Sequence, residues 1–393
     1  MEEPIVPASL SDIAAFAGEW VALRECASPW RSAARLRESF SGVDWPRLLV
    51  LAEEHGVIGH LAACLTEDEA PAAPAEIKQE LAERQRTLNF QTLQLTAELL
   101  RLLDTFAAQG ISPLVIKGPV LAARAYGDPA KRSYGDLDLL VRQGEIRRAT
   151  QALTASGYEA AVSLAAIDAG KIPGQYLFSK TDSKLLVELH NDATLRYFPR
   201  RLPIEDFFAR QVRVRVDAHE VPATRAEDEL VMACVHGAKH FWERLSWIAD
   251  VAGLQAQQKT LDWERAAESA RAVEAEHLLH TGLRLASEVL RADLPEAIAG
   301  RTREDAVAAK MVARVLRWLP AAGYTPPRLL ERVVFRLRMR GSFFAAPAYL
   351  LRLSLSPTEE DWQARGEVSV SPWLDALRRP FRLARKYGRS GRN

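Results

Sequence analysis

The sequence predicts an α+β protein, a compact α/β core set between two helical regions, and three observations carry that prediction. Residues 1–108 show helical periodicity, 109–220 alternate short apolar runs with turns and helices, and 221–393 return to helical periodicity. The 393-residue length allows two or three domains of ordinary size. With 48% hydrophobic and 26% charged residues, there is ample material for a sizeable core and wholesale disorder is excluded.

The elements follow in order. In VDWPRLLVLAEEHGV, Leu48, Leu49, Leu51 and Ala52 recur at helical spacing, and Gly56 breaks the pattern. A polar, proline-containing hinge, TEDEAPAAPAE, precedes a long helix from Ile77 to Gln109, rich in Leu, Glu, Gln and Ala and closed by Gly110. Pro113–Ile116 then reads as a buried strand, Lys117-Gly118-Pro119 as a turn, and Pro119 as the start of a helix reaching Tyr126. Asp136–Val141 alternates with period two and predicts a second strand. Glu145–Ser156 predicts an amphipathic helix closed by Gly157; Gln175–Ser179 and Leu185–His190 predict two more strands, and Val212–Val216 an edge strand. From Glu227 the chain is helical again: ELVMACVHGAKHFWERLSWIADVAGL is strongly amphipathic, and further helical patterns run from Asp262 to about Val289 and through the 300s.

Composition narrows the function classes. Lys+Arg 52 against Asp+Glu 51 leaves a net charge of +1, so no global field steers the molecule towards nucleic acid. Cys26, Cys64 and Cys234 lie far apart without a CxxC, which argues against a disulfide scaffold or zinc ribbon. The N-terminus is acidic with no basic segment before its apolar residues, and no run approaches the ~20 apolar residues of a membrane span. A cytoplasmic location is the expectation.

Asp136 and Asp138, two apart on a strand, project from one face, while Leu137, Leu139 and Val141 face the other way. Adjacent carboxylates repel unless a cation lies between them, which is the requirement of a divalent metal bound by oxygen. A DxD alone is short and common, and by itself reads first as an exposed or turn-capping pair. Upstream, the strand–turn–helix LVIKGPVLAARAY offers Gly118 for a tight turn, a helix N-terminus suited to phosphate, and the charge of Lys117. A third carboxylate, Glu188 in LLVELH, shares its strand face with Leu186 and His190; it demands a reason, whether a metal, an alcohol proton to be abstracted, or a salt bridge to an arginine.

Strand, Lys-Gly turn, helix, Tyr126-Gly-Asp-Pro, Arg132 and then GDLDLLV resembles the nucleotidyltransferases of the DNA polymerase β superfamily, and within it most closely the family 5 group of nucleotidyltransferases. The His236-Gly-Ala-Lys-His240-Phe-Trp-Glu-Arg-Leu-Ser-Trp247-Ile-Ala-Asp250 stretch strengthens the resemblance, which runs from Asp44-Trp45 to about Asp250. It implies a polymerase β-like core at 109–220, a helical region at 1–108, and a second helical region with a basic tail at 221–393. It further implies that Asp136, Asp138 and Glu188 hold two Mg²⁺ or Mn²⁺ ions, Glu188 also helping to deprotonate the acceptor. Lys117, Gly118 and Arg132 would bind the NTP donor, whose nucleoside monophosphate passes to a hydroxyl or phosphate acceptor on a small molecule or peptide. One departure stands out: the superfamily's Gly-Ser is here Gly118-Pro119, and proline donates neither a hydroxyl nor an N–H. This favours a rival expectation, a catalytically inactive binding or accessory module.

His236 and His240 stand at i, i+4 without the glutamate of an HExxH motif, so zinc ligation is not expected. Either one of them supports the site by a hydrogen bond to a carboxylate or substrate, or both pack an interface; His190 is placed with them as a supporting residue. The chain is basic without an acid from Arg378 to Arg392, and basic again at RVVFRLRMR from Arg332. These segments could contact tRNA, a membrane surface or an acidic peptide, the basis of a third expectation, an RNA-modifying transferase. With a balanced net charge and few aromatics there, a solvated tail is the expected reading and nucleic acid is not the expected partner.

Overall fold

The computed structural model describes residues 17–66, 73–168, 174–180, 182–183, 185–191, 204–321, 327 and 329–339. The basic stretch 378–392, the acidic N-terminus and Arg340 lie outside them.

Four short helices, α1 (Ala17–Ala27), α2 (Ala33–Ser39), α3 (Trp45–Glu54) and α4 (Ile58–Thr66), precede the long α5 (Ala75–Ala108). Asp44 caps α3 by accepting the Arg47 N–H, and Leu48, Leu49, Leu51 and Ala52 are buried, as their spacing predicts. A mixed seven-stranded sheet follows: β1 (Leu114–Ile116), β2 (Asp136–Leu140), β3 (Glu159–Ala160), β4 (Gln175–Lys180), β5 (Leu185–His190), β6 (Val212–Val216) and β7 (His219–Ala223), in the order β3-β4-β5-β2-β1-β7-β6. The β2–β5 and β1–β7 pairs are parallel and the others antiparallel. VRVRV is indeed an edge strand. Its partner β7 carries the sheet on to Ala223, past position 220.

Helices α6 (Gly118–Tyr126), α7 (Ile146–Ala155), α8 (Leu164–Asp168) and α9 (Ile204–Ala209) interleave with the strands. A second helical layer comprises α10 (Ala226–Lys239), α11 (Leu245–Gln257), α12 (Trp263–Ala272), α13 (Glu276–Leu290), α14 (Glu296–Glu304), α15 (Ala306–Trp318) and α16 (Leu329–Arg338). None of the described helices is long and apolar enough to cross a membrane.

The period of two along the strands divides the core. Val115, Leu137, Leu139, Val187 and Leu189 pack with Leu99 and Leu102 of α5 and with Ala149 and Leu153 of α7. Leu114, Ile116 and Leu140 face the other way and join the cluster built by α6, α10 and α11. Asp136 and Asp138 share that second face, so the acids look towards the helical layer.

Two breaks divide the helical stretches of this layer. The stretch from Glu229 to Leu254 is not one helix: α10 stops at Lys239 and α11 resumes at Leu245. Phe241 and Trp242 adopt φ of 59° and 53°, which costs about 1–2 kcal/mol per residue. Burial of the whole Trp242 side chain against Gly237 and Gly282 offsets that cost, and the Trp242 backbone N–H donates to the Gly237 carbonyl at 2.8 Å. Similarly, the helical pattern from Asp262 to Val289 forms two helices, parted between Ala272 and Glu276, with Glu274 at φ 56°. The basic stretch from Arg332 partly packs on this corner, for Arg332 and Arg336 stand 5.2 and 5.1 Å from the Phe241 ring centroid.

Candidate active site

Three neighbouring strands deliver the acidic group. Asp138 pairs with Ile116 of β1 on one side and with Glu188 of β5 on the other, so the two carboxylates stand opposite each other on one face. The β2–β5 register also sets His190 two residues beyond Glu188, on the same face. Lys117, the residue after β1, turns its Nζ to within 2.7 Å of Asp138 Oδ1. His190 Nε2 lies 2.9 Å from the same oxygen and 3.5 Å from Glu188 Oε2. Gln175, at the start of β4, donates its amide to Glu188 Oε2. Asp136 stands at the open end of β2, half-buried, whereas Asp138 and His190 are almost wholly enclosed.

The charges explain the titration of these groups. Burial pushes the Asp136 carboxyl up to about 6, helped by the negative charges of Asp138 and Glu188 and opposed by Lys117 and Arg132. Asp138 behaves oppositely. Burial would raise it, but Lys117 and His190 overcome that and hold it well below the carboxylate range. Burial likewise works against the charged forms of Lys117 and His190, yet the neighbouring carboxylates raise both.

The Lys-Gly turn is strained in the way its sequence suggests. Lys117 has φ 54°, ψ −141°, a region rarely open to a side chain, and Gly118 follows at φ 42°. A Cβ on Gly118 would meet Asp136 O at an ordinary 3.7 Å, so conformation rather than space calls for glycine there. Pro119 opens α6 without an N–H.

Arg132 pairs with the helical layer. Its Nε donates to Asp250 of α11 at 2.9 and 3.2 Å, and Tyr126 OH donates to the same carboxylate at 2.8 Å. All three are largely buried, so this pair ties the helical layer to the loop before β2. Arg132 still exerts its charge on Asp136.

His236 and His240 approach the site from α10. Their rings are 4.7 Å apart, and each also lies against Trp247, at 5.8 and 5.1 Å. His240 is the C-cap of the helix rather than a residue within it. Burial, then neighbouring lysine charge, lowers both imidazoles, His240 to about 3. Neither touches the carboxylates by a hydrogen bond. Lys239, between them, is a residue that sequence reasoning passed over; its spacing of i+3 from His236 was the available signal. Gln175 and Asp250 were likewise not singled out for a role at the site.

Among the described residues, Asp138, Glu188 and His190 form the group whose ligand atoms all lie within 4.8 Å of one another. Asp136 lies outside this tight set and would serve a cation nearer the opening. Carboxylate oxygens gathered on one sheet face, Asp138 and Glu188 with Asp136 beside them, are the donor type that Mg²⁺ or Mn²⁺ takes. The residues present therefore fit a hard divalent cation.

No curated protein matches the chain. A family model described as uncharacterised nucleotidyltransferase matches residues 41–291, spanning α3, the entire sheet and α10 to α13. With its core strands, Lys-Gly turn and paired acids inside that match, the chain belongs to this uncharacterised nucleotidyltransferase family.

Proposed function

We propose that the protein is a metal-dependent nucleotidyltransferase, moving a nucleoside monophosphate from an NTP to a hydroxyl or phosphate oxygen of a small molecule or peptide. The observation that carries this reading is the convergence of Asp136, Asp138 and Glu188 on one sheet face beside the Lys117-Gly118 turn. Asp138 and Glu188, with Asp136 at the opening, would hold Mg²⁺ or Mn²⁺. Bound divalent ions would supply charge neutralisation of the triphosphate and polarisation of the attacked phosphorus. Glu188, kept in place by Gln175, would accept the acceptor's proton as its oxygen bonds to the α-phosphorus and the bond to the departing pyrophosphate breaks. The Gly118 turn brings the backbone close to the phosphates, while the Lys117 ammonium, in the protein without nucleotide, balances Asp138.

Calorimetric titration with non-hydrolysable analogues of the four NTPs, each with Mg²⁺ or Mn²⁺, tests this reading. Metal-dependent binding to the wild type, lost in Asp136→Ala/Asp138→Ala, is the expected result, and it identifies the donor base. A second reading, an inactive module that keeps the fold, draws on the Lys117–Asp138 pair, in which an internal cation already serves the innermost acid, and on Pro119. Folded wild type that binds none of the four would favour that module.

A further inference from the structure

Two carboxylates and an imidazole meet on one face of the sheet. Asp138 on β2 and Glu188 and His190 on β5 each contribute one ligand atom, and the three atoms lie within 4.8 Å of one another. His190 Nε2 stands 2.9 Å from Asp138 Oδ1 and 3.5 Å from Glu188 Oε2. Neighbouring ligands of a divalent ion bound at about 2.1 Å are about 3.0 Å apart, so the imidazole already sits at the spacing of a shared coordination sphere. Gln175 holds Glu188 Oε2 through its amide, the outer support that a metal ligand commonly has. Asp138 and His190 are almost wholly enclosed, whereas Asp136 stands at the opening.

The carboxylates accept any hard divalent ion, but the imidazole discriminates. Mg²⁺ dehydrates reluctantly and keeps several waters, which an enclosed group with a nitrogen donor does not suit. First-row transition ions accept imidazole, with affinity rising from Mn²⁺ to Co²⁺. We infer that Asp138, Glu188 and His190 form an inner cation site that takes a first-row transition ion in preference to Mg²⁺, with His190 Nε2 as a direct ligand. The inference rests on the metal-dependent nucleotidyltransferase reading and divides its two cations. The inner ion belongs to the protein, and the outer one, beside Asp136, is the Mg²⁺ that arrives with the triphosphate. The contact between His190 and Asp138 is no obstacle, since an ion bound by both replaces the proton they share. Lys117 Nζ lies 2.7 Å from the same Oδ1, so it is the internal cation with which the inner ion competes. A histidine acting only as a charged partner of the two acids would set no preference among metal ions.

Titration of the full-length protein with Mn²⁺, Co²⁺ and Mg²⁺, without nucleotide, tests the site. The wild type is expected to bind Co²⁺ most tightly, and Mn²⁺ about tenfold or more tighter than Mg²⁺. His190→Gln should weaken Co²⁺ by about a hundredfold, Mn²⁺ by about tenfold and Mg²⁺ by less than about threefold, because the contribution of a nitrogen ligand grows along that series. Equal weakening of all three, the mark of a structural histidine, would overturn the inner site, as would a wild type without preference among them. Thermal unfolding verifies the fold of the variant, and His190→Asn replaces a glutamine variant that does not fold. Independently of any variant, the electron spin echo of Mn²⁺-loaded wild type should show a directly bound nitrogen, and its absence would overturn His190 as a ligand. The NTP analogues with Mg²⁺ keep the two readings apart. Metal-dependent nucleotide binding beside a failed inner site leaves the transferase reading intact. No nucleotide binding by the wild type would overturn that reading and, with it, the division of the two cations.

Discussion

The Lys117 ammonium rests 2.7 Å from Asp138 Oδ1, so the innermost acid of the site carries a cation belonging to the protein itself. Asp138 is almost wholly buried, and removing one partner of a buried pair leaves the other charge uncompensated. Lys117→Met should therefore destabilise the metal-free protein, by about 3 kcal/mol or more. Added Mg²⁺ should recover part of that loss, since it can neutralise the same carboxylates. Thermal unfolding with and without Mg²⁺ measures both effects. An unchanged melting temperature in EDTA would show that the pair contributes nothing net.

Asp136 provides a pH prediction of definite sign. Its carboxyl is raised from 3.8 to about 6 by burial and by Asp138 and Glu188. A raised folded-state value means that the group favours folding when protonated. Its relative contribution is fully present below the unfolded value and lost as pH rises through about 6. Asp136→Asn should thus stabilise the EDTA-treated protein at pH 7.5, on the order of 2 kcal/mol. The advantage over wild type should shrink towards zero at pH 4, and the variant should bind Mg²⁺ less tightly. Equilibrium unfolding of both proteins across that range provides the comparison.

Arg132 and Asp250 make a third case, a buried ion pair between the loop before β2 and α11. Asp250→Ala would leave the Arg132 guanidinium buried without its carboxylate and Tyr126 OH without its acceptor. A loss of about 3–5 kcal/mol is expected. Arg132→Met/Asp250→Leu should recover much of it, because two apolar groups of similar volume leave no orphaned charge. Chemical denaturation of the single and double variants gives the coupling energy directly.

Much of the site was legible because strand periodicity is local. Asp136 and Asp138 share one face of β2 by alternation, as Glu188 and His190 share one face of β5, whereas the pairing register is what sets those two faces together. The positive φ of Phe241 and Trp242 was not legible, since no glycine or proline marks the break. That turn is imposed by a tryptophan fitting over Gly237 and Gly282, the latter distant in sequence. β7 was missed because HEVPA contains Pro222, a residue that argues against strand until its edge-side pairing with β6 is known. Arg132 and Lys239 show the remaining limit. Which anion a cation meets depends on α11 and α10 being brought to the sheet, and residue spacing carries no record of that docking.

Gly253 governs how that docking is achieved. It lies on α11 where the helix crosses α6, and a Cβ there would come within 2.6 Å of the Ala125 carbonyl oxygen and 2.9 Å of its Cβ. Backbone is the obstacle, so no side-chain rotation can relieve the contact. Gly253→Ala must therefore push α11 away from α6, at a cost of about 1–3 kcal/mol as overpacking commonly exacts. Asp250 is three residues back on the same helix, and the shift would draw it from Arg132 and Tyr126. Since α6 begins at the Lys117-Gly118 turn, the displacement should reach the turn that carries the Lys117–Asp138 pair. The expected outcome is a lower melting temperature together with weaker Mg²⁺-dependent binding of the NTP analogue that the wild type prefers. Lower stability with unaltered affinity would instead mean that the cleft tolerates movement of α11, and that its geometry is set by the sheet alone.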